Sequence, residues 1–401
     1  MSKRGNGEGS IRKRSDNRWE GRYYDKTERR QKSVYGQTQL EAIKNLQYIQ
    51  LLQGNQSFIE NNDILLEAWS RVWLENYTSH LKPLTISSYR GIVKNHIIPA
   101  LGDIHLKQLT TEMIQHFYNQ KIKVVSAKTV SNIHGCLHKC LQQAVMLSNH
   151  YLEKNPADGC SVPLVDDYEF EPLEDEDIQT LLQATNRDEL YDQIILVGLF
   201  TGMRQSEILG LRWRDVDLDE GTAYIKRQLQ KDKVVHEEYN SKFFIGKSPK
   251  SKRNRLIDLP PFVVDILKIR RRQQKENKEN NRENWQGDLE LNKGLIFTHP
   301  DGGHLSHQTV LKKYKKLLAK CNLTESRFHD LRHSYAVIAL SMGENLKTLQ
   351  LNMGHCSEAF MLKKYGHATK AMRRNSASLM QGYISNQINV ERQGNCLLGS
   401  N

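Results

Sequence analysis

The spacing of apolar positions changes along the chain, and the expected structure changes with it. Short alternating runs at residues 10–14, 18–24 and 31–35, parted by polar turns at 15–17 and 25–28, predict three strands. Leu40, Ile43, Leu46 and Ile49 then recur at helical spacing between residues 38 and 53, which predicts one helix backing the sheet. Beyond a polar connector at 54–57, four helices are expected at 64–79, 84–98, 111–123 and 126–149. Pro99 and Gly102 should end the second, and Thr110 or Thr111 should cap the third. In the fourth, Val130, Ile133, Leu137, Cys140, Leu141 and Ala144 repeat at three and four residues, the stripe of a helix packed in a bundle.

Eight acidic and no basic residues fall between Asp166 and Asp177, a composition break that reads as a linker. Helices resume at 179–185 and 191–199, and a glycine turn at Gly202 starts another. Strand-like pieces at 222–225 and 256–259 flank a basic hairpin, and helices follow. Residues 268–282, rich in Lys, Arg, Gln and Asn, read as a solvated helix end or a mobile loop. Residues 371–384 are expected to form a tail helix with Met372, Leu379, Met380 and Tyr383 as apolar contacts. The fold class expected is multidomain, mainly α with small β-sheets. Its modules are a three-stranded N-terminal domain at 1–55, a helical bundle at 63–160, an acidic linker at 161–177 and a mixed α+β domain at 178–390.

Composition narrows the function. At 401 residues the chain exceeds the usual domain size of ~100–200 residues, so several modules are expected. Mean hydropathy is −0.65, and no apolar run approaches the ~20 residues of a membrane span. The basic opening has no apolar run behind it, so a secretory leader is not expected and the cytoplasm is the default. Cys136, Cys140, Cys160, Cys321, Cys356 and Cys396 have neither disulfide-scaffold density nor zinc-type Cys-x-x-Cys spacing; they read as reduced thiols, with no metal or cofactor implied. Lys and Arg number 58 against 46 Asp and Glu, a net charge of +12 that favours a polyanion, and nucleic acid first. Residues 1–36 hold eleven Lys/Arg and five Asp/Glu with Trp19, Tyr23, Tyr24 and Tyr35 interleaved, a composition suited to laying a β-ribbon on DNA. Arg12, Arg14, Arg18 and Arg22 are the candidate contacts there, with Lys128 in the bundle and Lys247, Lys252 and Arg253 in the basic hairpin.

Four strings in the last module carry polar chemistry. Arg204 and Glu207 stand three apart in one expected helix, so the carboxylate can hold the guanidinium. His329 and Arg332 are also three apart, His355 follows a helix expected to end at Gly354, and Tyr365 lies among Lys363, Lys364, His367 and Lys370. Phosphoryl transfer without a metal needs cations around the phosphate, a nucleophile and a proton donor for the leaving oxygen. Two arginines, two histidines and a tyrosine meet that need. A phenol with pKa near ~10 becomes a nucleophile only where cations stabilise the phenolate or a base takes its proton.

In order and spacing these strings resemble the tyrosine recombinases of the phage integrase family, specifically integrases of Gram-positive phages and conjugative transposons. Thr-Gly-Met-Arg204-Gln-Ser-Glu-Ile-Leu-Gly-Leu resembles the first arginine box, and His329-Asp-Leu-Arg332-His-Ser the His-x-x-Arg box. Met-Gly354-His355 resembles the Leu-Gly-His box, and Leu-Lys-Lys-Tyr365-Gly-His the nucleophile. The resemblance extends to the bundle, through His-Ile-Ile-Pro-Ala-Leu-Gly and Glu-Lys-Asn-Pro-Ala, and to the arm-binding start Gly-Asn-Gly-Glu-Gly-Ser-Ile. It implies an arm-binding domain, a core-binding bundle and a catalytic domain. It implies a metal- and ATP-independent enzyme that integrates and excises a mobile element through a 3′-phosphotyrosyl link. Tyr365 would be the nucleophile, Arg204 and Arg332 the phosphate clamp, and His329 and His355 the proton and phosphate partners. Glu207 would orient Arg204. The general acid would be Lys250, in Pro-Lys-Ser-Lys, with Lys252 the alternative. The implied partners are double-stranded DNA at core and arm sites, a homotetramer on that DNA with the tail helix docked on a neighbour, and an excisionase or host DNA-bending protein. Three competing classes stay open at this level: a type IB topoisomerase, a metal nuclease and a non-catalytic DNA-binding regulator.

Overall fold

Hydroxyl side chains start several helices of the computed structural model, which describes residues 10–25, 28–53, 64–147, 151–165, 171–246, 254–354, 377–378 and 380–385. Thr38 caps α1 (Gln39–Leu52) by accepting from the Glu41 amide, and Thr110 caps α5 (Thr111–Lys121). Ser126 caps α6 (Ala127–Met146). Backbone contacts divide the chain into two units, residues 1–167 and 168–401.

In the first unit β1 (Ser10–Lys13), β2 (Trp19–Asp25) and β3 (Arg30–Gly36) form an antiparallel sheet in the order 1-2-3. One face packs on α1, where Ala42 and Leu46 are buried. Glycine is required in this packing: a Cβ on Gly36 would stand 2.5 Å from the Ala42 nitrogen. The helix α2 (Leu66–Asn76) lies against α1, and Lys44 bridges Glu67 and Asp103 across that joint. The bundle continues with α3 (Pro83–Ile92), a wider π turn at Val93–Ile97 and α4 (Ile98–Leu101). Contrary to expectation, Pro99 does not end this run. The π turn ahead of it alters the hydrogen-bond ladder where the ring has no N–H to give, so the helix continues to Leu101. The α6 stripe is buried as its spacing predicts, and the Trp69 indole N–H donates to the Cys140 carbonyl at 3.0 Å beneath it.

The second unit opens inside the acidic stretch. Glu174 and Asp177 form a capping box, and Asp175, Glu176 and Asp177 lie in the first turn of α7 (Asp175–Ala184), where the helix dipole favours carboxylates. The helix α8 (Leu190–Thr201) is buried on nearly every side, at the centre of the larger core. It ends at Gly202, whose left-handed φ of 61° leads into α9 (Gln205–Leu209). The strands β4 (Val216–Asp217), β5 (Thr222–Ile225) and β8 (Arg255–Asp258) pair antiparallel in the order 4-5-8. Between β5 and β8 in the chain, β6 (Gln228–His236) and β7 (Ser241–Gly246) make a separate two-stranded ribbon that periodicity did not predict. The segment read as a helix end or loop is the second half of α10 (Pro261–Asn280). It is held there because Arg270, 3% exposed, donates to the carbonyls of Ile296 and Thr298. Then come α11 (His307–Lys320), α12 (Phe328–Ser341) and α13 (Leu346–Met353). Residues 380–385 are helical, and Met380 and Tyr383 are exposed. Among the described residues no helix is long and apolar enough to cross a membrane.

Candidate active site

Three strings distant in the sequence converge beside α8 and α9. Arg204 is not inside a helix with Glu207, as the three-residue spacing suggested, but caps it with extended backbone at φ −70° and ψ 146°. From N3, the Glu207 carboxylate accepts the Arg204 backbone N–H at 3.0 Å and its guanidinium at 2.8 Å. The expected pairing of the two side chains is present, in a capping geometry. Arg204 also donates to the Gly354 carbonyl at 3.3 Å, which joins the first arginine box to the end of α13.

Glu207 is 1% exposed. Burial works to raise its pKa, but the hydrogen bonds and charge of Arg255, with the charges of Arg204 and Arg332, outweigh burial and hold it down at about 2. The Arg255 guanidinium meets this carboxylate as a fork, at 3.1 Å to Oε1 and 2.7 Å to Oε2. Its Nε donates to the Asn352 carbonyl at 2.6 Å. Sequence reading counted Arg255 only as part of a basic hairpin. A signal was available: β8 alternates, and Arg255 shares the buried face with Ile257 while Leu256 and Asp258 face out.

Arg332 is 1% exposed and lies in the interior of α12. Its guanidinium donates to the carbonyls of Gly202 and Met353, the residues at which α8 and α13 end, so one cation meets the negative ends of two helices. Gly202 cannot be replaced at this junction without strain, since a Cβ would stand 2.4 Å from the Tyr335 ring. His329 precedes Arg332 by one turn, and its ring meets that of His333 edge to face at 4.9 Å. Desolvation, reinforced by the charges of Arg332 and Arg204, lowers the His329 pKa to about 4, so the imidazole is neutral near pH 7. A neutral imidazole beside two arginines can accept a proton at an anionic substrate. Gly354 ends α13 with φ 62°, as the sequence predicted for the residue ahead of His355. His355, Tyr365, Lys250, Lys247, Lys252 and Arg253 lie outside the described residues.

The N-terminal candidates form a separate constellation. Arg12 and Glu20 are register partners, as are Arg22 and Ser33, so these side chains share the sheet face opposite α1. Glu20 is buried beneath them, accepting from Arg12 Nε at 2.7 Å and Ser33 Oγ at 2.6 Å, with Arg22 Nε at 3.5 Å. These hydrogen bonds and charges lower its pKa to about 2. Arg14 and Arg18 hold their guanidiniums 5.7 and 5.3 Å from the Tyr35 ring centre. The sheet therefore presents exposed arginines around an aromatic ring on one side. Sequence reading missed Glu20, whose signal is an acid directly opposite Arg12 in a basic strand pair. Lys128 is exposed in the first turn of α6.

Arg204 and Arg255 on a shared glutamate, with Arg332 and the neutral His329 beside them, form an enclosed cationic site suited to an anionic group such as a phosphate. The chain belongs to the Phage integrase family, which matches residues 171–372, and an N-terminal SAM-like domain of phage integrases matches 65–122. It is a tyrosine recombinase, a DNA-cleaving and rejoining enzyme. A XerC-like tyrosine recombinase of Caldanaerobacter subterraneus subsp. tengcongensis is 28% identical over 87% of this chain and 91% of its own length. The integrase of Staphylococcus phage L54a is 25% identical over 80% of this chain and 94% of its own. Among solved structures, the Tn1549 transposon integrase in complex with transposon right end DNA superposes with a TM-score of 0.64. That match, at 20% identity, covers 79% of this chain and all of the other. A lambda integrase tetramer bound to a Holliday junction gives 0.56 at 16% identity over 90% of this chain and 96% of the other.

Proposed function

We propose that this chain integrates and excises a mobile DNA element by site-specific strand exchange through Tyr365. The observation that carries the reading is the meeting of Arg204, Glu207, His329 and Arg332 around the end of α13, one residue ahead of His355. The Tyr365 oxygen attacks the scissile phosphorus, a bond from phosphorus to Tyr365 forms, and the bond from phosphorus to the 5′ oxygen breaks. Lys250, or Lys252 in its place, gives the departing 5′ oxygen its proton. Arg204 and Arg332 neutralise the nonbridging oxygens as charge builds there. His329 receives the tyrosine proton, and His355 hydrogen-bonds the phosphate. A 5′ hydroxyl of the partner duplex then attacks the phosphotyrosyl link and releases Tyr365, so bond energy is conserved.

Exchange of two duplexes needs four such sites, hence a homotetramer on double-stranded core DNA, with residues 371–384 docking on a neighbour. Arg12, Arg14, Arg18 and Arg22 contact an arm site, while Lys128, Lys247, Lys252 and Arg253 contact core DNA. An excisionase or a host DNA-bending protein sets the direction. The test is a nicked duplex carrying the element's ends. Wild-type protein is expected to be trapped covalently on it, and Tyr365→Phe to bind equally without an adduct. An adduct that persists in Tyr365→Phe overturns the assignment.

A further inference from the structure

Arg255 is the one guanidinium at this site that spans both oxygens of Glu207 among the described residues, and its side chain is 7% exposed. Arg204 meets the same carboxylate through one guanidinium nitrogen only. The arrangement divides labour. A carboxylate has one face that takes a planar fork, and a guanidinium docked there is committed to it. With Arg255 in that seat, the remaining guanidinium N–H groups of Arg204 are not committed to Glu207. Arg255 also holds the Asn352 carbonyl and packs against Gly354, where a Cβ would come 3.1 Å from its terminal nitrogen. It therefore links β8, α9 and the end of α13.

We propose that Arg255 is a positioning residue for strand cleavage: by occupying the fork of Glu207 it keeps Arg204 turned toward the phosphate, and it fixes the residue ahead of His355. This rests on the reading of Arg204 as a phosphate clamp. Without Arg255, Glu207 is a buried carboxylate whose nearest cation is Arg204, and Arg204 closes onto it in a two-nitrogen pair. The loss then falls on the chemical step rather than on DNA binding. It is relieved when the Glu207 charge is removed as well, and relieved without a matching rise in melting temperature, a combination that simple damage to the fold does not produce.

The test is single-turnover cleavage of the nicked duplex by full-length protein, with duplex affinity and melting temperature measured alongside. Arg255→Met is expected to cleave about 100-fold more slowly at an affinity within about twofold of wild type, and Arg255→Met with Glu207→Gln to recover about tenfold. Arg255→Lys, which keeps the charge but cannot span both oxygens, replaces the methionine variant if that one does not fold. It is expected to cleave about tenfold more slowly at an unchanged melting temperature. Cleavage at the wild-type rate in the folded single variant, or a deeper loss on adding Glu207→Gln, overturns the proposal. Absence of any covalent product from the wild-type protein overturns the proposed function instead.

Discussion

Glu20 and Glu207 are the same device in two settings. Each is a buried carboxylate with arginines on its oxygens, and each has its pKa held at about 2. They differ in what surrounds the arginines. Around Glu20, the side chains of Arg12, Arg14 and Arg22 are 51%, 37% and 41% exposed on an open sheet. Around Glu207, Arg204 and Arg255 are 17% and 7% exposed. Water and salt screen the first cluster, so its ion pairs hold together weakly and their value is to present a preset cationic face. In the second cluster water is largely excluded, so each charge depends on its partner and the geometry is narrowly set. One motif thus gives an open, screened cationic face in one unit and a narrowly set, enclosed cluster in the other.

The sharpest break of this comparison is removal of each carboxylate in turn. Glu207→Ala leaves Arg204 and Arg255 without their shared anion, and about 3–5 kcal/mol of stability is expected to go. Hydrogen exchange in α8, α9 and β8 reads that loss, while β1–β3 keep their protection. Acidification should affect the second unit next. His329 carries its proton less readily in the fold, at a pKa of about 4 against 6.5, so its contribution is complete above pH 6.5 and is lost as pH falls toward 4. Both glutamates add a loss below pH 4.5 that continues toward pH 2. A melting temperature for the second unit that is flat from pH 7 to pH 4 contradicts the His329 part.

Glu20→Gln is expected to leave the melting temperature nearly unchanged, because its partners are solvated, yet to weaken binding of arm DNA by releasing Arg12 and Arg22 from their set positions. Equal affinity of the variant and wild type in a gel-shift titration would count against a positioning role. The smallest effect is that of salt. Raising ionic strength from 0.1 to 1 M shortens the screening length from about 10 to about 3 Å, and hydrogen exchange should loosen around β1–β3 while α9 and β8 stay protected.

Much of this was legible in the sequence because it is local. The three strands and α1 follow from alternation and a hydroxyl cap, and α6, which begins one residue after Ser126, follows from an uninterrupted apolar stripe that starts at Val130. The pairing of Arg204 with Glu207, the placing of His329 one turn before Arg332, and the end of α13 at Gly354 follow from spacing and from the freedom of glycine at positive φ. What failed to read depended on hydrogen bonds that no residue pattern displays: the helix continues through Pro99 behind a π turn, and β6 and β7 pair as a ribbon that alternation did not mark, whereas the solvated helix end expected at 268–282 is present as the second half of α10.

By itself, then, the sequence determined the order of elements, the polar strings and their membership in one family, since each depends on neighbours a few residues apart. Only the tertiary structure decided which arginine takes which carbonyl or carboxylate. Alternation in β8 marks Arg255 as facing inward with Ile257, but that it meets Glu207 and the end of α13 is decided only when those segments come together. Burial makes that difference, because a charge removed from water must find a partner, and the partner here stands 48 residues back along the chain.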